Sequence, residues 1–206
     1  SSTRTEDSVE NVSVDQATIA AVKKVDLSTV PLSQVSPNIE NKDGSILKPN
    51  GKKYETMSGL NAVGYNATEN FTFRNLSLAS TVNPTEAVFH VEDKTSVLKF
   101  VELKINDEQV GKSLIAELKD LFGKPTFEQN AKKDGGMGVD EQGNAITIKD
   151  APNQLFMVWE KSDAKRTYFL SQYESEGKKL LDLTILDPNE KFAKQFMSVR
   201  SLDWYK

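Results

Sequence analysis

Leu155, Phe156, Met157, Val158 and Trp159 follow one another without a polar break, and this run constrains the fold more than any other feature of the chain. Successive side chains of a strand point to opposite faces, so five apolar neighbours leave neither face fit for water. Tyr168, Phe169, Leu170 and Tyr173 make the next segment two-sided in the same way. One face should pack on a helix; the other must be covered by another part of the chain or serve as an aromatic binding surface. We expect burial between two halves of the molecule, and name Trp159, Tyr168 and Tyr173 as the binding residues if a face stays open.

The rest of the chain supplies the covering pieces. Ser13-Val14-Asp15-Gln16 has the form of a capping box, and Ile19, Val22 and Val25 follow at helical spacing, which predicts a helix over about 15–25 that ends near Pro31. Asn50-Gly51, inside Ile46–Tyr54, carries the signature of a tight hairpin. Phe71, Phe73, Leu76 and Leu78 alternate with polar residues, and Ala87–Val91 and Val97–Ile105 read as further strands. Asn106-Asp107 opens the strongest helix, with Val110, Leu114, Leu118, Leu121 and Phe122 on one face and Gly123-Lys124-Pro125 as its stop. Residues 130–145 read as a Gly-rich connection, followed by alternating segments at 154–160, 165–173 and 178–186. A last short helix carries Phe192, Phe196 and Met197, and Trp204-Tyr205 is expected to dock.

Helix, strands, helix, strands is the order of an α+β protein, with helices packed on one face of an antiparallel sheet. We divide the chain into a flexible tether over 1–14, a first α+β lobe over 15–105 and a second over 106–206.

Composition removes most chemistry. Among 206 residues there is no cysteine and one histidine, which excludes disulfides, thiolate zinc sites, a cysteine nucleophile and any site that needs two histidines. The net charge of -4 comes from 26 basic and 30 acidic side chains with no basic block, so nucleic acid is not an expected partner. No cofactor and no metal is expected. Gly111-Lys112-Ser113 ends like a phosphate loop but lies inside the amphipathic helix, with Asn106 where the leading glycine belongs. Gly135-Gly136-Met137-Gly138-Val139-Asp140 matches one copy of a calcium-binding nonapeptide, and a single copy cannot stack on itself, so a solvated loop is preferred. His90, next to Glu92 and Asp93, has the makings of a general base, yet a surface strand histidine is the simpler reading.

The run Gly111 to Pro125, then Phe156-Met-Val-Trp159-Glu-Lys, then Tyr168-Phe-Leu-Ser-Gln-Tyr-Glu-Ser-Glu-Gly-Lys-Lys-Leu resembles the repeat of the β-lactamase inhibitor protein-like superfamily, over roughly 107–186. That superfamily includes small envelope lipoproteins. The resemblance implies helices on one side of an antiparallel sheet whose other side grips a protein; it does not imply inhibition of a β-lactamase.

Ser1 to Thr18, rich in Ser, Thr, Glu, Asp and Val, reads as the tether that follows a removed signal and lipidated cysteine, as in exported proteins of Gram-positive bacteria. The Asn-x-Ser/Thr triplets at Asn11, Asn66, Asn70 and Asn75 are expected to be bare. The expectation is therefore an extracellular, lipid-anchored, monomeric, non-enzymatic protein of the bacterial cell envelope that grips a protein or envelope component on its sheet surface. Its contact with the membrane would be through the lipid anchor alone. The alternative is a small-molecule binding protein with an apolar pocket between lobes, and a hydrolase built on His90 and a carboxylate ranks behind both.

Overall fold

The computed structural model describes residues 20–132, 137–147, 153–161 and 164–199. The tether, the capping box, Gly135-Gly136 and Trp204-Tyr205 lie outside the described residues. In order come β1 (Val25–Asp26), β2 (Leu60–Asn66), β3 (Phe71–Phe73), β4 (Leu76–Ser77), β5 (Glu86–Glu92), β6 (Leu98–Ile105), α1 (Glu108–Phe122) and β7 (Phe127–Lys132). They are followed by β8 (Met137–Val139), β9 (Ala145–Thr147), β10 (Asn153–Lys161), β11 (Arg166–Ser175), β12 (Lys178–Leu186) and α2 (Lys191–Val199).

Seven strands form one antiparallel sheet in the order β2-β5-β6-β12-β11-β10-β7. A small sheet, β1-β3-β4, and the β8-β9 hairpin complete the strands. The large sheet runs unbroken across residue 106, because β6 pairs with β12 from Ile105↔Leu181 to Phe100↔Leu186.

This arrangement overturns the α+β expectation. Among the described residues strand far outweighs helix, so the protein is mostly β, with two short helices instead of a helical layer. Nor do the helices share a face. Leu114 and Leu118 of α1 join the cluster of Leu103, Leu183 and Ile185, whereas Ala193 and Phe196 of α2 join Phe100 and Leu186, which point the other way along the same strands.

The physical reason lies in segments read as helix, hairpin or loop. Ala20 to Val25 contains no helix: Val22 bridges to Ile39, and Val25 pairs with Phe71 while its amide donates to the Asn70 carbonyl at 2.7 Å. Branched side chains suit this extended course, and tertiary pairing overrides three apolar positions at helical spacing. Asn50-Gly51 joins no two strands. Gly51 does take the left-handed φ of 76°, but the Asn50 amide donates to Gly64 at 2.8 Å, so the turn lays the chain along β2. The connection at 130–145 is also partly regular, holding the end of β7 and the start of the β8-β9 hairpin.

The helix that was legible, α1, forms for the expected reasons. Asp107 accepts from the Gln109 and Val110 amides at 2.9 and 3.3 Å, and Gly123 closes the far end at a φ of 77° with its N–H on the Lys119 carbonyl. A hydrogen bond from Ser80, ahead of those two amides, holds the Asp107 carboxyl below its ordinary range.

Candidate functional site

Trp159 and Tyr168 are directly opposed across β10 and β11, and both are core residues, 1% and 2% exposed. The Trp159 indole donates to the Gly123 carbonyl at 3.0 Å, tying β10 to the end of α1. The Tyr168 hydroxyl donates to the Ser28 carbonyl at 2.9 Å, and its ring meets Phe73 edge-on and Phe122 at 4.6 Å. Burial pushes this phenol above its ordinary pKa; Arg166 opposes the effect and Asp26 adds to it. Tyr173 stands apart. Five positions further along β11 it points to the opposite face, at the exposed end of the strand.

The sheet faces themselves are filled. On the α1 side the central strands present Phe89, Val101, Leu103, Leu183 and Leu170, each at most 1% exposed. The opposite side presents Val88, His90, Phe100, Glu102 and Thr184, each at most 2% exposed. Neither offers the open aromatic surface that the two-sided strands allowed for.

An opening does lie at one edge of the Tyr168 ring. Asp26, Ser28 and Thr29, Arg74 and Asn75, Leu121 and Phe122, Lys161, Ala164, Arg166 and Tyr168 line a groove of about 790 Å³. Four parts remote in sequence meet here: the chain after β1, the β3-β4 turn, the end of α1, and Lys161, Ala164 and Arg166 at the adjoining ends of β10 and β11. Among the described residues its lining cations are Arg74, Lys161 and Arg166 and its lining carboxylate is Asp26, with Asp120 and Glu117 paired to Arg74 beside it.

Each cation is held differently. Arg74 has a left-handed backbone, φ 56°, which a non-glycine residue adopts only when its surroundings hold it there. The holder is Asp26, whose Oδ1 accepts from the Arg74 amide at 2.9 Å and from the Ser28 amide and hydroxyl at 2.9 and 2.7 Å. The Arg74 guanidinium pairs with Asp120 at 2.9 Å and Glu117 at 3.6 Å. Lys161 lies over the Phe122 ring, 4.9 Å from its centre. Arg166 donates through Nη2 to the Val30 carbonyl, and its charge and a side-chain hydrogen bond both act on the Tyr168 phenol.

His90 is 0% exposed, against the expectation of a surface histidine. Its carboxylate is also not Glu92 or Asp93: Nε2 lies 3.4 Å from Glu102 Oε1, across the β5-β6 pairing. Nδ1 faces the Thr56 hydroxyl at 3.0 Å, the ring stacks on Phe100 at 4.1 Å, and Phe196 of α2 is 5.2 Å away. Lys104 continues the polar row, 3.5 Å from Glu102 and 3.4 Å from Asp182.

The remaining motifs have structural explanations. Gly111 is buried in α1 where an added Cβ would sit 2.7 Å from Leu181, so the glycine admits β12. The Asp140 carboxylate accepts from the Gln142 and Asn144 amides at 3.0 and 2.8 Å, which makes it the cap of the β8-β9 turn. Among the described residues no group of acidic and histidine side chains has metal-ligand geometry. No described helix is long and apolar enough to cross a membrane.

The sequence carried no sign of Arg74, Lys161 and Arg166 as a set. Lys161 and Arg166 flank one turn, with Lys165 between them, and Arg74 belongs to another; only the packing of the small sheet against β11 brings Arg74 to the pair.

Fold and groove define an antiparallel β-sheet protein with filled sheet faces and a cation-lined groove at one end. No family model matches the chain, and no curated protein and no solved structure matches it. The resemblance to the β-lactamase inhibitor protein-like superfamily rests on the quoted residues alone.

Proposed function

We propose that this protein is an exported, lipid-anchored binding protein of the bacterial cell envelope, without catalytic activity of its own, and that it grips its partner in the groove beside Tyr168. One observation carries the reading: a solvent-open groove of about 790 Å³ is lined by Arg74, Lys161 and Arg166. The 0% exposure of His90 speaks against the hydrolase reading, since a general base must reach its substrate.

The test is retention of envelope material on immobilised protein. The intact chain should hold a component that Lys161→Glu and Arg166→Gln release, while Lys42→Glu, away from the groove, keeps it. Equal retention by all four proteins would sink the assignment.

A further inference from the structure

We infer that the outer edge of β7 pairs antiparallel with β7 of a second copy of this chain, so that two seven-stranded sheets join across a two-fold axis. The direction of each backbone group follows from the β11-β12 turn. Glu176 and Gly177 both take positive φ, 51° and 75°, in a two-residue hairpin turn whose flanking residues, Ser175 and Lys178, exchange both backbone bonds. Backbone bonds alternate from side to side along a strand, so the register of β11 on β12, β10 on β11 and β7 on β10 fixes the rest. The alternation turns Phe127, Gln129 and Ala131 toward β10 and leaves the N–H and C=O of Glu128, Asn130 and Lys132 on the outside. Carried across the sheet the other way, it turns Gly64 of β2 outward, where the Gly64 carbonyl accepts from the Asn50 amide at 2.8 Å.

The two edges of the sheet differ. The chain at 50–57 covers β2: the Asn50 amide bonds to Gly64, the Leu60 amide bonds to Met57, and the Tyr54 ring packs on Gly64. Along β7, no described backbone group bonds to Glu128 or Asn130 from outside, and both residues are exposed. An open edge is a template for another strand, and its charges decide which strand fits. Antiparallel pairing centred on Asn130 sets Glu128 opposite Lys132 of the second copy and Lys132 opposite its Glu128, so opposed positions carry opposite charges. All of these positions belong to the outward set, so each opposed pair exchanges both of its backbone bonds. An in-register parallel pairing would set like charges side by side. Both copies use the same edge, so the contact closes on itself; growth into a fibre would need the edge of β2, which is taken. A strand of six residues makes a small contact, and the dimer should therefore be weak and concentration-dependent, in place of the monomer expected from the sequence.

Sedimentation of the full chain up to millimolar concentration tests this, together with native mass spectrometry of mixed variants. The chain should pass from monomer to dimer. Asn130→Pro removes an outward N–H and no bond to β10, so its melting curve in dilute solution should match the parent's while the dimer dissociation constant rises by about tenfold or more. Glu128→Lys and Lys132→Glu should each weaken self-association, and the two variants mixed should form a heterodimer tighter than either homodimer. A monomer throughout the range, a dimer that survives Asn130→Pro, or a mixture with no preference for the heterodimer overturns the inference. So does an envelope protein that a monomeric chain retains and Asn130→Pro releases, since the edge then takes a foreign strand.

Discussion

The two faces of the large sheet are both buried, yet they are built from different material. Toward α1, β5, β6, β12, β11 and β10 present Phe89, Val101, Leu103, Ile185, Tyr168 and Trp159, a face of aliphatic and aromatic volume. The opposite side of the same strands interleaves Val88, Phe100 and Phe169 with Glu86, His90, Glu102, Asp182 and Thr184. An apolar face is specified by shape and tolerates a lost hydrogen bond, because it contains few. A face carrying buried charge depends on every partner being in place, since low dielectric makes an unpaired group so unfavourable. The first face should therefore respond chiefly to changes of volume, with an alkaline response from its buried Tyr168 phenol, and the second should respond to volume and to pH on both the acid and the alkaline side.

The largest expected effect is on volume. Trp159→Ala removes a buried indole and its bond to Gly123, and should cost about 3–5 kcal/mol, read from the denaturant midpoint at constant slope. Next comes Gly64→Ala on the opposite side. The added methyl would lie 2.2 Å from Tyr54 Cε2, so the ring must move and give up its 2.8 Å bond to Glu86. A loss of about 1–3 kcal/mol is expected, and Gly64→Ala combined with Tyr54→Ala should recover part of it in a double-mutant cycle.

The pH response should follow Tyr54 and Glu86. Burial pushes the Tyr54 phenol up to about 12, with the Glu86 charge adding to the effect and the Asn50 side chain opposing it. An acid whose folded value is raised gives stability that is whole below the unfolded value of 10.0 and lost as pH climbs toward about 12. Tyr54→Phe should remove that alkaline loss. For Glu86 burial works upward, but bonds from Lys52, Tyr54 and Asn106 prevail and hold the carboxyl below the usual 4.5. Its contribution is whole above that value and disappears as pH falls through the lower folded one, so Glu86→Gln should flatten the acid limb of the stability profile. The smallest effect belongs to the surface: Lys42→Ala breaks a 2.6 Å pair with Glu69 whose two side chains are 83% and 69% exposed, and should leave the melting curve unchanged.

What could be read in the sequence was what repeats. The helix at Glu108–Phe122 and the strands β10 to β12 follow from uninterrupted periodicity, and the two-sided run at Leu155–Trp159 required burial on both faces. The expected helix over 15–25 failed within its described part because Val22 and Val25 have partners, Ile39 and Phe71, that lie 17 and 46 positions away. His90 was read beside its chain neighbours, while its carboxylate is Glu102, brought close by strand pairing. For Trp159 and Tyr168 the sequence allows burial between two halves or, if a face stays open, a binding role; their apolar bodies and single polar atoms suit the core each joins, with one buried acceptor apiece. The groove was out of reach, because its cations come from turns that share no period.

The central claim is that the sheet faces are closed and binding occurs at the groove. Amide chemical-shift mapping by NMR during titration with solubilised bacterial envelope material tests it most directly. The account predicts shifts concentrated at Ser28, Thr29, Arg74, Asn75, Lys161 and Arg166, with His90, Glu102 and Thr184 unmoved. Shifts centred on His90, Glu102 and Thr184, with the groove silent, would contradict it.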